Sequence, residues 1–348
     1  MSCHLTEPRR QDGAALVVAL LIFAIAAALM VGLQREFTLQ LKRVGGTLQQ
    51  EQAWQYLRAA EDLAKIALRL DTRNDVGSDR ATDHLQEIWA TETANYPLAE
   101  GGWLRGSIED LQGRFNLNGL VEARSDGATD GPDSNVRQGE DRLTAHQRQF
   151  VRLLLALEIP DMDEGQALKL VDSIADFIDT DDAPRPLGAE RDAYQRKNPP
   201  YRPANRTLTS VTELRAVIGM NDDIYQALAP YVTVWPERGG ALNVLTAPAT
   251  VLRSLNTETT LQPLTALDGE ALVRGRTDGE WQSLDELTTE TLLEAYGIDN
   301  VAGELGERSN WFLLTARVEI ADTEQRLYSV IERDGDSLIT RYRTMGDL

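Results

Sequence analysis

The chain has 348 residues and a formal net charge of −20, so it is long enough to bury a sizeable core in one large or two smaller domains. A balance this acidic repels nucleic acid and anionic lipid, which leaves proteins and cations as partners. The single cysteine, Cys3, excludes an intramolecular disulfide, and stability therefore rests on core packing or a bound metal.

Residues 2–13 are polar, with Glu7 and Asp12 balanced by Arg9 and Arg10, and an uncharged run from Ala14 to Leu33 follows. At about 1.5 Å per residue this run makes a helix of roughly 30 Å, the thickness of a bilayer's hydrocarbon core. A Sec-type signal has a shorter apolar region with a small-residue cleavage site after it. Here a glycine comes before the run, which suggests cleavage between Gly13 and Ala14 and a helix that stays on the mature chain. The arginines then lie on the cytoplasmic side and the bulk of the chain outside. An anchor that is never cut fits the run equally, since spanning needs only length and apolarity.

Beyond Leu33, the positions Leu57, Ala60, Ala64, Ala67 and Leu68 keep helical spacing. They predict an amphipathic soluble extension of the membrane helix, with Gly45-Gly46 as a bend. "GWLRGSIEDLQGRFNLNGLV", Gly102 to Val121, reads as short strands joined by tight turns, and Glu122 to Asp141 as a polar surface loop. From Thr144 to about Ile298 the pattern is helical. Phe150, Leu153, Leu154 and Leu157 share one face, and Leu170, Val171, Ile174 and Ile178 another. Ser210 with Glu213, and Ser283 with Glu286, fit capping boxes, and Gly219 and Gly297 stand where helices end. Trp311 to Gly335 reads as a hairpin around Ala321–Glu324.

Several strings together carry a family resemblance. They are "GAALVVALLIFAIAAAL" from Gly13, "DLQGRFNLNGL" from Asp110, "DFIDTDDAPRPLGAERDAY" from Asp176, "PPYRPANRTLTSVTELRAV" from Pro199 and "LNVLTAPATVL" from Leu242. With these the chain resembles the type II secretion system protein K family, the large minor pseudopilins. The resemblance implies an α+β, pilin-like fold: a long N-terminal membrane-spanning helix packed on a small antiparallel sheet, with a large inserted all-α domain. The expected divisions are a leader at 1–13, an N-terminal helix at 14–70 that spans the membrane over 14–33, and the first part of the pilin-like domain at 71–122. The helical insert is expected at 123–300, and strands at 301–348 complete the sheet.

The resemblance further implies that prepilin peptidase cuts after Gly13 and that Ala14 becomes the methylated mature N-terminus. Asp12 departs from the basic residue common before that glycine. Most pilin-like proteins carry glutamate at mature position five, where it pairs with the amine of a neighbouring subunit; here the position is Val18. An intramembrane carboxylate costs at least about 2.5 kcal/mol at mid-bilayer and persists only where a partner offsets it. Valine suits a subunit at the tip of a pseudopilus, capping the minor pseudopilins I and J. The implied place is the bacterial inner membrane, single pass, with the main domain in the periplasm. The implied role is to start pseudopilus assembly and aid export of folded exoproteins through the outer-membrane secretin. A minor pilin of a type IV pilus shares the leader and helix and is the alternative; a membrane-anchored, metal-dependent periplasmic hydrolase is a second.

The resemblance also implies calcium in the helical insert. "DTDDAPRPLGAERDAY" crowds Asp179, Asp181, Asp182, Glu190 and Asp192 into a short Pro- and Gly-containing stretch, and these are the expected ligands. Ala183 and Pro184 fall where an EF-hand needs a ligand and a glycine, so the stretch is not an EF-hand. Asp126, Asp130 and Asp133 read as a solvated acidic loop instead. "GDSL" at Gly335–Leu338 has no histidine after it, and neither a zinc cluster nor a phosphate-cradling loop is present, so no catalytic residue is assigned. The unit ending in "GMNDDIY" is acidic where a DNA phosphate would lie, which argues against nucleic acid.

Overall fold

The computed structural model describes residues 12–75, 81–91, 95–99, 101–121, 143–257, 260–290, 293, 305–320 and 323–346. The expectations for residues 1–11, for the loop Glu122–Asp141 and for Gly297 lie outside these. Helix α1 (Asp12–Asp75) is one continuous element. The expected bend at Gly45-Gly46 does not interrupt it: the pair costs about 2 kcal/mol relative to alanine, which the long flanking turns absorb. Residues 14–33 are exposed on every side, whereas from Ala53 one stripe is buried: Ala53, Leu57, Ala60, Ala64 and Leu68. The small alanines in that stripe let the helix backbone lie close against a sheet.

The sheet begins with β1 (Tyr96–Pro97) and β2 (Trp103–Asp110), and the chain then leaves it through two 3-10 turns, Leu111–Gly113 and Leu117–Leu120, around β3 (Phe115–Asn116). Only one substantial strand therefore forms where several were expected. The reason is local: the Asp110 and Asn116 side chains accept the backbone N–H groups of Gln112 and Asn118, which favours turns over a ladder.

The insert follows as α2 (Ala145–Ala156), α3 (Glu164–Ile178), α4 (Arg191–Gln195), α5 (Asp222–Leu228), β4 (Val232–Thr233), β5 (Leu242–Asn243), α6 (Ala249–Leu252), α7 (Ala266–Asp278) and α8 (Leu284–Thr288). Thr144 and Gln147 form a full capping box that starts α2. Phe150, Leu153 and Leu154 on α2 share one buried cluster with Leu170, Val171, Ile174 and Ile178 on α3. Such side chains contribute about 2 kcal/mol each on burial. Ser210 and Glu213 cap a 3-10 helix, Val211–Ala216. Ser283 caps α8, but the Glu286 carboxylate takes the N–H of Gln282. Short parallel ladders, β3 with β4 and β5 with β6 (Leu305–Gly306), fasten the insert to the chain on either side of it.

The chain returns as β7 (Trp311–Ile320), β8 (Thr323–Asp334) and β9 (Ser337–Thr344), completing an antiparallel sheet of order β1-β2-β7-β8-β9. Ile320 already pairs with Thr323, so the hairpin connection is tighter than the expected Ala321–Glu324 turn. On β7, Phe312, Leu314, Ala316 and Val318 join the α1 stripe in one core, while Leu313 belongs to the core of the insert. The strand is shared by both halves of the molecule.

Glu61 on α1 is fully buried and accepts hydrogen bonds from Lys65 at 2.9 Å, Ser329 at 3.0 Å and Thr340 at 2.7 Å, with Arg343 forming a two-nitrogen clamp. Burial works to raise its carboxyl, but the bonds from Arg343, Thr340, Lys65 and Ser329 outweigh it and hold the group well below the usual range. Its stabilisation is therefore complete above the ordinary glutamate value of about 4.3 and lost as pH falls further. Glu61→Ala in the detergent-solubilised chain should cost about 3 kcal/mol in urea denaturation, with β9 the first strand to lose amide protection.

Candidate metal centre

Helix α3 starts at Asp163, whose carboxylate accepts the Gln166 N–H at 2.8 Å. Its buried face carries Asp172 and Asp176, with Asp179 just past its C-terminal end. The spacing i, i+4, i+7 places all three on one side of the helix. The loop 180–190 wraps back over them. The backbone N–H of Leu187 reaches Asp172 at 3.0 Å, and that of Arg185 reaches Asp176 at 3.1 Å. Gly188 lies so close that a Cβ there would stand 2.0 Å from Asp176 Oδ2, so this position needs glycine. The wrap delivers Glu190, the residue before α4, onto Asp176 and Asp179, and one carboxylate oxygen from each lies within 4.8 Å of the others.

All three carboxylates are buried, and among the described residues one cation pairs with them: Arg185 Nη1 bridges Asp176 and Asp179. The centre is therefore short of positive charge. Asp179 Oδ1 and both Glu190 oxygens are buried without a hydrogen-bond partner. Glu190 sits where a side chain would cap α4 but makes no capping bond. Asn205 fixes the loop by donating from Nδ2 to the Asp181 carbonyl at 3.0 Å, and its own Oδ1 is also buried and unpartnered. Burial, then the neighbouring Asp176 and Asp179, pushes Glu190 up to about 7. Burial also raises Asp176 and Asp179, against the pull of Arg185. Buried oxygens without donors, and no soft ligand among them, fit a hard divalent cation such as calcium.

Of the ligands expected from sequence, the structure brings Asp179 and Glu190 together. Asp181 is half-buried alongside, with Oδ1 accepting the Ala183 N–H at 2.9 Å, while Asp182 and Asp192 are exposed and stand outside the cluster. Asp176 was missed, although its place in the Asp172, Asp176, Asp179 row was a readable signal.

A second carboxylate group, Asp71, Asp83 and Glu87, joins the end of α1 to the sheet. Here the cation is built in. Arg333, buried and lying over the Phe312 ring at 4.9 Å, reaches Asp71 at 3.1 Å and Asp83, and it donates to the Ser309 carbonyl at 2.5 Å. Glu87 is pushed up by burial and takes the indole N–H of Trp89. His146 has a structural place, stacked on Phe115 at 4.2 Å with Nε2 bonded to the Asn116 carbonyl at 2.8 Å.

At the other end of the molecule, Gly13 and Ala14 lie in the first turn of α1, and Val18 follows one turn later, 54% exposed among exposed apolar neighbours. Among the described residues α1 is the one helix long and apolar enough to cross a membrane.

A helix long and apolar enough to span a membrane, continuous with one that packs on an antiparallel sheet interrupted by a large helical insert, defines a pilin-like protein. Residues 113–237 match the family model of type II secretion system protein K. The chain is 34% identical over 333 residues to the type II secretion system protein K of Pseudomonas aeruginosa, covering 95% of this chain and 91% of that one. It is 31% identical to the Aeromonas hydrophila protein of the same name, covering 97% of each. The chain belongs to the type II secretion system protein K family. Its fold matches a chain from the crystal structure of the GspK-GspI-GspJ complex of enterotoxigenic Escherichia coli, with a TM-score of 0.69 at 22% identity, over 88% of this chain and all of that one.

Because the folded value of Glu190 lies above the ordinary glutamate value of about 4.3, its contribution is favourable below that value and lost as pH rises through about 7. In metal-free protein, Glu190→Gln should therefore stabilise the fold at pH 8 by on the order of 2 kcal/mol and have little effect at pH 4, as read by urea titration at the two pH values.

Proposed function

We propose that this chain is the tip subunit of a periplasmic pseudopilus, a minor pseudopilin that starts assembly and aids export of folded proteins across the outer membrane. Val18 carries this reading. A subunit in the body of a fibre needs a carboxylate near its N-terminus to meet the amine of its neighbour, and a subunit with none above it gains nothing from that charge. In this reading prepilin peptidase cuts between Gly13 and Ala14, and α1 first anchors the chain in the inner membrane and later packs into the fibre. Minor pseudopilins I and J are the direct partners; exoproteins and the secretin are met at the tip.

The soluble part of α1 supports a helix-packing contact with such partners. Leu63, Ile66 and Leu70 project from the side of α1 away from the sheet, all exposed, with Leu85 and Ile88 also exposed further along the chain. An apolar stripe on a helix that already buries its other face is suited to a second helix. The outcome expected on deletion is loss of type II secretion with surface pili retained. Crosslinking through cysteines at Ile66 or Leu70 should capture co-expressed I or J; pilus loss with secretion intact would overturn the assignment in favour of a type IV pilus.

Calcium belongs to the same reading, held by Asp176, Asp179 and Glu190. When bound, it supplies the positive charge that Arg185 alone does not, and it locks the loop 180–190 and Asn205 against α3. Chelation should lower the melting temperature, by about 3–4 °C if the ion contributes about 2–3 kcal/mol in a chain of this size. Asp179→Asn with Glu190→Gln should abolish the response, while Asp182→Asn should leave it intact. An unchanged melt in chelator would remove calcium from the account.

A further inference from the structure

The sheet face turned away from α1 carries an arrangement that stability does not explain. Arg105 on β2 pairs directly with Arg317 on β7, which pairs in turn with Arg326 on β8. Three guanidinium groups thus stand in one row across three adjacent strands, all exposed. Like charges directly opposite one another weaken a sheet. Arg326 is offset by Glu324 at 2.7 Å, but Glu319, the next residue on the same face of β7, is engaged by the Trp103 indole N–H at 2.9 Å. Arg317, in the middle of the row, has no hydrogen-bond or ion-pair partner among the described residues.

This face forms one wall of a cleft of about 680 Å³, whose other wall is the 3-10 helix Val211–Ala216 together with α5. The lining holds four arginines, Arg105, Arg114, Arg215 and Arg317, against one carboxylate, Glu109, in a chain whose net charge is −20. Arg114 is bonded to Glu109. Arg215 lies flat over the Tyr225 ring at 4.1 Å, which holds its guanidinium at the cleft wall while it reaches Asp222 at 3.2 Å on the rim.

We infer that this cleft docks a short acidic segment of a partner protein. The volume admits several side chains, far more than one small anion needs, and the cations are spread over both walls, so that successive carboxylates can each meet an arginine. Arginine also presents the forked donors that bind carboxylate in pairs. A long polyanion such as nucleic acid is disfavoured by a net charge of −20 on the chain, whereas a short segment need meet only the cleft. The inference goes beyond the tip-subunit reading and does not rest on it.

The test uses the full chain in non-ionic detergent and a fluorescein-labelled peptide of alternating glutamate and serine, read by anisotropy at low ionic strength. Binding should weaken with added salt, and Arg317→Glu should lower affinity by about tenfold or more, as reversal of a charge in a binding site does. Arg317→Lys should retain most of the binding, and Arg341→Glu on β9, outside the cleft, should leave it unchanged. Thermal melting of Arg317→Glu should be no lower than that of the parent chain, since the change replaces like charges across the strands with opposite ones, so weaker binding cannot come from unfolding. Failure of the peptide to bind, or equal binding by the parent and Arg317→Glu, would overturn the proposal. Displacement of the peptide by inorganic pyrophosphate at equal charge concentration would overturn it too, by showing a site for small anions.

Discussion

The pairing of β2 with β7 is the constraint on which the rest of the molecule depends. It joins residues 103–110 to 311–320 in unbroken antiparallel register, with the whole insert extruded between them. Closing so long a loop costs little more than closing a short one, because the entropy of closure grows only with the logarithm of length. What the fold must supply is a firm neck. Asn243, buried where the insert rejoins the sheet, donates to Asp110 at 3.1 Å, Ser309 at 2.9 Å and the Asp83 carbonyl at 3.0 Å. Asp110 is pushed up to about 6 by burial, although the Ser309 and Thr246 hydroxyls and the Gln112 N–H act the other way. The last residue of β2 is thereby tied to both the exit and the return of the chain.

With that neck in place, β7 can serve two cores. Its alternate residues face the alanine-lined stripe of α1 on one side and the insert on the other, so the long helix and the helical domain are coupled through a single strand. Arg333 strengthens the coupling from the neighbouring strand, because it binds Asp71 at the end of α1, Asp83 beyond it and the Ser309 carbonyl at the neck. Removing a partner from such a buried group leaves an uncompensated charge, which costs more than the intact pair contributes.

How much of this was legible in the sequence depended on whether a signal was local. The apolar run after Gly13 and the faces of α2 and α3 are periodic patterns, and each appears in the structure where the pattern placed it. The Gly45-Gly46 pair, a local propensity signal, does not end the helix, because the long flanking turns carry it through. β9 gave no apolar alternation because it is an edge strand with mostly exposed side chains, held by Arg343 and Thr340 on Glu61. In the carboxylate cluster of the insert, crowding along the chain pointed to Asp181, Asp182 and Asp192 beside Asp179 and Glu190. The cluster is instead chosen by the helix face that carries Asp176 and by the fold-back of the loop at Gly188. The arginine row was invisible for the same reason, since Arg105 and Arg317 become neighbours only through strand register.

The two carboxylate clusters show how one chain can solve the same electrostatic problem in opposite ways. Around Asp71 and Asp83 the compensating charge is covalently part of the fold: Arg333 is buried with them and pairs with both. Around Asp179 and Glu190 the built-in cation is incomplete. Arg185 is partly exposed, bridges only two of the three carboxylates, and leaves buried oxygens unpaired. A buried carboxylate without a partner either keeps its proton or recruits a cation from solvent. The first cluster therefore carries a cation of its own at the junction of helix and sheet. In the reading proposed above, a cation bound at the second would tie the loop 180–190 to α3, with Asn205 holding the loop from the chain that follows it.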